Sequence, residues 1–178
     1  MNLVKAAENG LTMLNRDSKA GTIDRLFEAH HRELYQFARR LSRTRDEARD
    51  LVQEAFVRLV QTKVPLLTED HVRGWLYRTL MNLCHDQRRR SAVRSRYQDA
   101  RQALQGVDDL TEARLVARMA VERALLQLDI RRRAVVVLHE IQGESVGDIA
   151  RLLDIAPVTV RWHLSRARRL LTKILTPK

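Results

Sequence analysis

Arginine and aromatic side chains at helical spacing near the end of the chain are suited to contact nucleic acid. In PVTVRWHLSRARRLL, residues 157–171, one outward face would carry Val158, Arg161, Trp162, Ser165 and Arg169. Guanidinium groups donate hydrogen bonds to phosphates and to acceptors on base edges in the major groove. From Pro157 onward there are Lys and Arg but no Asp or Glu, whereas a merely solvated face usually mixes both signs. The pattern favours DNA binding; a helix pair that only completes a bundle is the alternative.

Two short helices joined by a tight turn would have to position that face. Ser145 and Asp148 have the spacing of a capping box at the start of the first helix. Asp154 falls where the turn is expected, and Pro157 suits the first position of the second helix, where no N–H is needed. Apolar residues recur at helical spacing on both sides of the turn: Val146, Ile149, Leu152 and Leu153, then Val160, Leu164, Ala167 and Leu171. The pattern predicts a helix-turn-helix.

A second basic face occurs in HVRGWLYRTLMNLCHDQRRR, residues 71–90. The predicted exposed side of this helix carries Arg73, Tyr77, Arg78, Asn82 and, beyond them, Arg88, Arg89 and Arg90. Asn82 is a poor residue for a helix interior, but it can offer both a donor and an acceptor to a base edge. Trp75 is more typical of a core than of a base-stacking platform. Aromatic and basic groups on one face suit single-stranded DNA as well as duplex DNA.

An acidic strip stands out in this basic chain. Asp50, Gln53, Glu54 and Val57 fall at i, i+3, i+4 and i+7 of a predicted helix, opposite its apolar stripe of Leu51, Val52, Ala55, Phe56, Leu59 and Val60. Such a strip is either solvated or a docking face for a basic protein surface. The residues alone leave both interpretations open.

Composition narrows the class of protein. The chain has 178 residues, a formal net charge of +11 and a pI near 10.9, which indicates a polyanionic partner, nucleic acid ahead of membrane. No apolar run approaches the roughly 20 residues of a spanning helix, and the first twenty residues lack a signal-peptide pattern, so we expect a cytoplasmic protein without membrane insertion. Neither the lone Cys84 nor the adjacent His30 and His31 belongs to a ligand cluster, so no metal or cofactor is expected.

Helical periodicity with only six Gly and three Pro predicts an all-α fold of two small helical domains joined by a polar linker. The predicted boundaries are residues 1–21 for an N-terminal extension, 22–91 for the first domain, 92–111 for the linker and 112–178 for the helix-turn-helix domain. Thr22 and Thr44 are expected helix N-caps, and Gly143 an expected C-terminal cap. The second core is expected to include Val116, Met119, Ala120, Leu125, Leu128, Val135, Val136, Leu138 and Ile141.

Three segments, in this order and spacing, resemble the extracytoplasmic-function (group 4) sigma factors of bacterial RNA polymerase, in the sigma-70 family. DEARDLVQEAFVRL is similar to the family's polymerase-clamp-binding helix. GWLYRTLMNLCHDQRRR is similar to its promoter-melting helix, with Trp75, Leu76, Asn82, Asp86 and Arg88 at matching places. GESVGDIARLLDIAPVTVRWHLSRARRLL is similar to its C-terminal DNA reader, sharing Ile149, Ala150, Leu153, Ile155, Thr159, Val160, Leu164, Ala167 and Arg168.

The resemblance implies a non-enzymatic factor that binds core RNA polymerase and directs promoter-specific initiation. It implies polymerase binding by Asp50, Gln53, Glu54 and Val57. It implies contacts with the minus-ten element, partly as melted single strand, by Arg73, Tyr77, Arg78, Asn82, Arg88 and Arg89. It implies duplex contacts with the minus-thirty-five element by Val158, Thr159, Arg161, Trp162, Ser165, Arg166 and Arg169. Residues 62–70 would form a pocket for a flipped base, the linker would thread polymerase's nucleic-acid channels, and an anti-sigma factor is an implied partner.

Two departures from the family pattern concern the helix-turn-helix. Asp154 stands where the family usually has glycine, and Asp tolerates a left-handed backbone better than most residues. Trp162 stands where a small or polar residue is usual, so it either faces the DNA groove or packs on a neighbouring helix. Outside the family, the runner-up function is a free-standing helix-turn-helix regulator. A nucleic-acid enzyme is disfavoured because no nucleophile, metal cluster or phosphate loop is apparent.

Overall fold

The computed structural model describes residues 16–62, 68–94 and 112–176. Within these ranges the secondary structure is helical throughout, which confirms the predicted all-α class. The elements are α1 (Arg16–Leu41), α2 (Arg45–Gln61), α3 (Glu69–Arg94), α4 (Glu112–Gln127), α5 (Ile130–Val136) with a π-helical continuation (Val137–Ile141), α6 (Val146–Leu153) and α7 (Pro157–Leu175). None of the described helices is long and apolar enough to cross a membrane.

The described residues divide into two compact units, one ending at Arg32 and the other beginning at Glu33. In the first unit, the rings of Phe27 and His31 lie 4.5 Å apart along α1. This helix begins at Arg16, so the expected N-cap at Thr22 is wrong. A threonine with good capping chemistry caps only where the preceding backbone leaves the helix, and here residues 16–21 continue it.

In the second unit, α2 begins with the capping box predicted at Thr44. Its hydroxyl accepts from the Glu47 N–H at 3.1 Å, and the Glu47 carboxylate accepts from the Thr44 N–H in return. The pair satisfies two donors that a helix start otherwise leaves open. Helix α2 ends at Gln61.

Helices α2 and α3 contribute apolar side chains to a shared core: Leu51, Val52, Ala55, Phe56, Leu59, Val72, Leu76, Leu80, Leu83 and Cys84. Val60, expected in the apolar stripe, is exposed instead. Burial raises the pKa of the Cys84 thiol to about 12, as expected for a small core residue. Helix α3 continues to Arg94, three residues into the predicted linker, and residues 95–111 lie outside the described ranges. The domain boundaries therefore stay a prediction.

The C-terminal core comes mainly from α5 and the end of α4. Asp129 caps α5 by accepting from the Arg132 N–H at 3.0 Å, and Gly143 ends the helical segment with a φ of +76° as predicted. Three residues expected inside are exposed: Val116 by 61%, Ile141 by 45%, and Ala120. The core begins later in α4 than the periodicity indicated. Ala124, Leu125 and, just after the helix, Leu128 are buried, whereas the first turns are not.

The helix-turn-helix is formed by α6 and α7. Ser145 caps α6 by accepting from the Asp148 N–H at 3.1 Å, but the Asp148 carboxylate bonds the Ser145 hydroxyl and Arg151, so the predicted box is only half formed. Asp154 adopts the left-handed conformation, with φ 55° and ψ 53°, and Pro157 opens α7. Val160, Leu164 and Ala167 are buried as predicted, whereas Leu171 is only half-buried.

Helix α3 packs not only on α2 but also on α5 and α6. A methyl group added at the buried Gly74 would lie 3.3 Å from the Leu152 carbonyl oxygen and 3.0 Å from Nη1 of Arg78. Glycine in a helix interior is destabilising, so its presence here fits a need for close approach between α3 and the end of α6. We call the contact of α3 with α5 and α6 the closed packing.

Candidate nucleic-acid interface

The α3 face comprises the six residues predicted for the minus-ten element: Arg73, Tyr77, Arg78, Asn82, Arg88 and Arg89. Asn82 and Arg89 are exposed, as predicted. Arg73, Arg78 and Arg88 are half-buried, and Tyr77 is fully buried, so the expectation of an exposed Tyr77 is wrong in this conformation. The reason is that the Tyr77 ring packs against Phe37 of α1, with the ring centroids 4.7 Å apart, while the closed packing covers Arg78.

Arg73 and Tyr77 meet two acidic side chains from distant parts of the chain. The Arg73 guanidinium donates to Glu33 at 2.5 Å and also to Glu144, while the Tyr77 hydroxyl donates to Glu33. Burial alone lowers the pKa of Arg73, but its bonds to both carboxylates outweigh this and raise it. Burial and the bond to Glu33 raise the pKa of Tyr77 as well. The arginine is therefore held in an ion-paired network that leaves it little capacity for a phosphate.

The end of the π-helical segment places Glu144 against Arg73. The Gln142 N–H bonds the Val137 carbonyl at 3.0 Å, and Gly143 then turns the backbone. Glu144 donates its N–H to the Leu138 carbonyl at 2.9 Å, and its own carbonyl accepts from Nδ1 of His139, also at 2.9 Å. These backbone bonds fix the direction of the carboxylate toward α3.

Two further arginines of the α3 face bond backbone carbonyls of the C-terminal helices. Arg78 donates to Leu152 at 3.0 Å, at the point of close approach beside Gly74. Arg88 donates to Leu126 at 2.8 Å and to Leu128 at 3.2 Å. Burial lowers the pKa of Arg88, and the neighbouring Arg43 acts in the same direction. Four of the six α3-face side chains are thus engaged within the chain.

The recognition-helix face comprises the residues predicted for the minus-thirty-five element: Val158, Thr159, Arg161, Trp162, Ser165, Arg166 and Arg169. All are exposed except Thr159, which is half-buried. Trp162 is 55% exposed and so does not belong to the core. The guanidinium of Arg132 lies over the indole, 5.4 Å from its centroid.

The acidic strip lies on the exposed side of α2, as predicted. Asp50, Gln53 and Glu54 are exposed, and Val57 is 48% exposed beside them. Arg58 donates to Glu54 at 2.8 Å along the same helix, which reduces the local negative charge but leaves that of Asp50. The strip is accessible in the closed packing.

The sequence did not single out Arg133, whose hydrogen bonds join α5 to the ends of α1 and α4. Arg133 is fully buried; it donates to the carbonyls of Leu41 at 2.7 Å, Leu126 at 2.6 Å and Leu128 at 3.0 Å. Burial lowers its pKa to about 9, so the group stays charged at neutral pH. Its position within an apolar run, RAVVVL, was the available signal. In the described part of the chain, no group of three or more His, Cys, Asp or Glu side chains could hold a metal ion.

Comparisons with known proteins agree with this arrangement of helices. Residues 26–94 match the sigma-70 region 2 family, and residues 118–171 match the sigma-70 region 4 family. The ECF RNA polymerase sigma factor SigM of Mycobacterium tuberculosis is 36% identical over 152 residues, which cover 85% of this chain and 76% of SigM. The chain belongs to the ECF family of RNA polymerase sigma factors.

A second relative supports the same conclusion. The M. tuberculosis sigma factor SigL is 31% identical over 159 residues, covering 86% of this chain and 89% of SigL. The crystallised sigma factor RpoE of Bartonella quintana, in complex with the anti-sigma factor NepR, has the same fold with a TM-score of 0.65 and 24% identity, covering 85% of this chain and 95% of RpoE. This ECF sigma factor is an alternative specificity factor for transcription, with core RNA polymerase and promoter DNA as its partners.

Proposed function

We propose that three surfaces divide the work of this sigma factor. The acidic strip binds core polymerase, the α3 face contacts the minus-ten element, and the recognition-helix face contacts the minus-thirty-five element as duplex. The separation of charge supports this division: a negative strip for a protein surface, and two arginine-rich faces for DNA. Residues 62–70 are assigned to the pocket for a flipped base by the family resemblance alone, since 63–67 lie outside the described ranges. The role requires no catalytic group, and its place is the cytoplasm, where polymerase and promoter meet.

The observation that carries the docking role is the exposure of Asp50, Gln53, Glu54 and Val57 on one side of α2. A polar rim around an accessible apolar side chain is usual for a protein interface. Because the closed packing leaves this strip open, polymerase reaches it without any rearrangement of α2.

Reversing the charge of the strip tests this role. The double variant Asp50→Arg/Glu54→Arg should lose co-purification with core polymerase, because like-charge contacts would replace attractive ones across the interface. The matched control is Asp24→Arg/Glu28→Arg, an exposed pair at the same i,i+4 spacing on α1. Circular dichroism checks that both variants keep their helical content. Unchanged co-purification of the first variant would refute the docking role.

The DNA roles are tested by transcription. Full-length protein with core polymerase should yield transcripts that start at fixed distances from a shared upstream pair of elements. Asn82→Ala should reduce open-complex formation because Asn82 is exposed on the α3 face and offers both donor and acceptor. The absence of start-specific transcripts from every genomic promoter tested would rule out the proposed assignment of the faces.

Access to the rest of the α3 face requires the closed packing to separate. Arg73, Tyr77, Arg78 and Arg88 contact DNA only after their bonds to Glu33, Glu144 and the backbone carbonyls are exchanged for phosphates and bases. Binding to polymerase, which holds the two DNA-contacting helices on different promoter elements, supplies that separation.

An anti-sigma factor is a further proposed partner. The RpoE neighbour was crystallised with one, NepR, and shares the fold of this chain. Affinity capture from the native cell with the full chain as bait, followed by competition with core polymerase, tests the proposal. A captured protein that core polymerase displaces supports the role; a captured protein that binds alongside polymerase contradicts it.

A further inference from the structure

Val158 and Trp162 form an exposed apolar pair on the first two turns of α7. They are 68% and 55% exposed, and residues at i and i+4 are neighbours on a helix surface. Exposed arginines flank the pair: Arg161, Arg166 and Arg169. A single exposed apolar residue needs no explanation, but a valine and a tryptophan side by side within a cationic face suggest a ligand that is both anionic and locally apolar.

The neighbouring helix α5 fixes the indole of Trp162. Arg132 lies over the ring, 5.4 Å from its centroid, and its guanidinium is held by Asp129 at 2.8 Å. Asp129 in turn caps α5 through the Arg132 N–H. The ring is therefore oriented by a cation that is itself oriented by a helix cap. Ordering the indole before binding lowers the entropic cost of contact.

We propose that Val158 and Trp162 read thymine methyl groups in the duplex promoter element bound by α7, with Arg132 as the positioning residue for Trp162. This inference rests on the proposed duplex role of the recognition-helix face. The first turns of a recognition helix contact base edges, and the C5-methyl of thymine is the apolar group that the major groove presents there. An apolar protein partner fits the pair less well, because residues 157–178 contain six Lys or Arg and no Asp or Glu.

Replacing thymine by uracil in the duplex tests the inference directly, since uracil pairs identically but lacks the methyl group. The element is first selected from random duplex DNA, once with the full chain plus core polymerase and once with the full chain alone. Each thymine of the selected element is then changed to deoxyuridine, and the dissociation constant is measured by fluorescence anisotropy. At one or two positions we expect affinity to fall about fourfold per methyl group removed.

Variants assign the effect to its side chains. Trp162→Ala and Val158→Ala should each bind thymine DNA more weakly. At one position, each should also lose the thymine-to-uracil ratio, which is the factor by which the thymine duplex binds more tightly than the uracil duplex. Trp162→Phe should keep part of this ratio. Arg132→Ala should reduce the ratio at the Trp162 position and leave the Val158 position unchanged. Arg169→Ala is the control: it should weaken thymine and uracil duplexes equally. Thermal unfolding confirms that each variant folds.

The outcomes separate this inference from the proposed function. A selected element without thymine, or a thymine-to-uracil ratio that survives in Trp162→Ala and Val158→Ala, would overturn methyl reading while promoter-specific transcription stands. If Trp162→Ala loses a captured protein partner but keeps the ratio, the pair is a protein-docking surface instead. Selection by the chain alone but not with polymerase would contradict the proposed function, and the ratio would still test methyl reading. Failure to select any duplex in either arrangement would overturn both.

Discussion

Arg133 and Arg88 share two backbone acceptors, and this sharing decides how much each side chain contributes to the free energy of unfolding. Both donate to the carbonyls of Leu126 and Leu128, while only Arg133 also donates to Leu41. Removing one arginine leaves the shared carbonyls with a partner; removing both leaves them without one in a partly buried site. A buried acceptor that loses its last partner costs about 1–3 kcal/mol, so the two side chains should be energetically coupled.

The first prediction is a double-mutant cycle. Arg133→Met should lower the free energy of unfolding by about 2 kcal/mol, mainly through the orphaned Leu41 carbonyl, and Arg88→Met by about 1 kcal/mol. The double variant should lose at least about 1 kcal/mol more than the sum. Urea denaturation followed by circular dichroism measures all four proteins. Additive losses would contradict the sharing of acceptors.

At the scale of single residues, sequence patterns located the charges but not their partners. Periodicity placed Arg73, Tyr77 and Arg78 on one side of α3, and that is where they lie. It could not show that Glu144, 71 positions from Arg73, would reach the same side. A helical pattern gives the direction of a side chain relative to its own helix only. Whether another segment covers that side of the helix depends on tertiary packing, which the pattern does not contain.

The turn of the helix-turn-helix depends on one residue with positive φ. Asp154 sits at φ 55°, ψ 53°, a conformation that costs any side chain with a Cβ more than it costs glycine. Its N–H bonds the Arg151 carbonyl at 3.4 Å, while the Ile155 N–H bonds the Ala150 carbonyl at 3.0 Å, so the backbone closes the helix without help from the carboxylate. The Asp154 side chain can therefore be replaced, provided that the new residue can adopt the same left-handed backbone conformation.

The second prediction follows from that strain. Asp154→Gly should raise the free energy of unfolding by about 0.5–1 kcal/mol, and Asp154→Ala should lower it by about 1 kcal/mol. Thermal unfolding should shift by a few degrees in opposite directions. Arg161→Lys, exposed on α7 and outside the turn, is the matched control and should leave the unfolding temperature unchanged, because the two residues have similar helix propensities. A loss of stability in the glycine variant would mean that the Asp154 carboxylate stabilises the turn.

At the scale of helices, caps and turns were more predictable than packing. Thr44, Asp154, Pro157 and Gly143 have local chemistry that specifies backbone conformation, and each lies where expected. Val116 and Ile141 do not, because an apolar residue at the correct spacing is buried only if a neighbouring helix extends that far. The π-helical widening at Val137–Ile141, which directs Glu144 toward α3, has no recognisable sequence signal.

In the second compact unit, the closed packing balances arginine–carboxylate bonds against the DNA that would replace them. Arg73, Glu33 and Glu144 are partly solvent-accessible, with 25%, 34% and 19% of their side chains exposed, so their contribution is moderated by screening. Even a modest contribution to the free energy of the closed packing matters. A change of about 1 kcal/mol alters the fraction of molecules in which this packing has separated roughly fivefold.

The third prediction concerns this balance. Glu144→Gln should increase binding of a fluorescent single-stranded minus-ten oligonucleotide by about fivefold at low salt, since Arg73 loses a charged partner. Gly74→Ala should act in the same direction by pressing a methyl group against the Leu152 carbonyl. Glu140→Gln is the control because it breaks the ion pair with Arg168 outside the α3 interface. Equal affinities for Glu144→Gln, Glu140→Gln and the unchanged protein would refute an inhibitory role of the closed packing.

The acidic strip stays exposed while most of the α3 face is covered, and this difference imposes an order on assembly. With the proposed docking role, the factor engages polymerase first and promoter DNA second. If a cell produces more factor than polymerase, the excess free factor therefore does not occupy promoters. Promoter occupancy would follow the concentration of holoenzyme rather than that of the factor, so transcription would saturate with rising factor and would not decline.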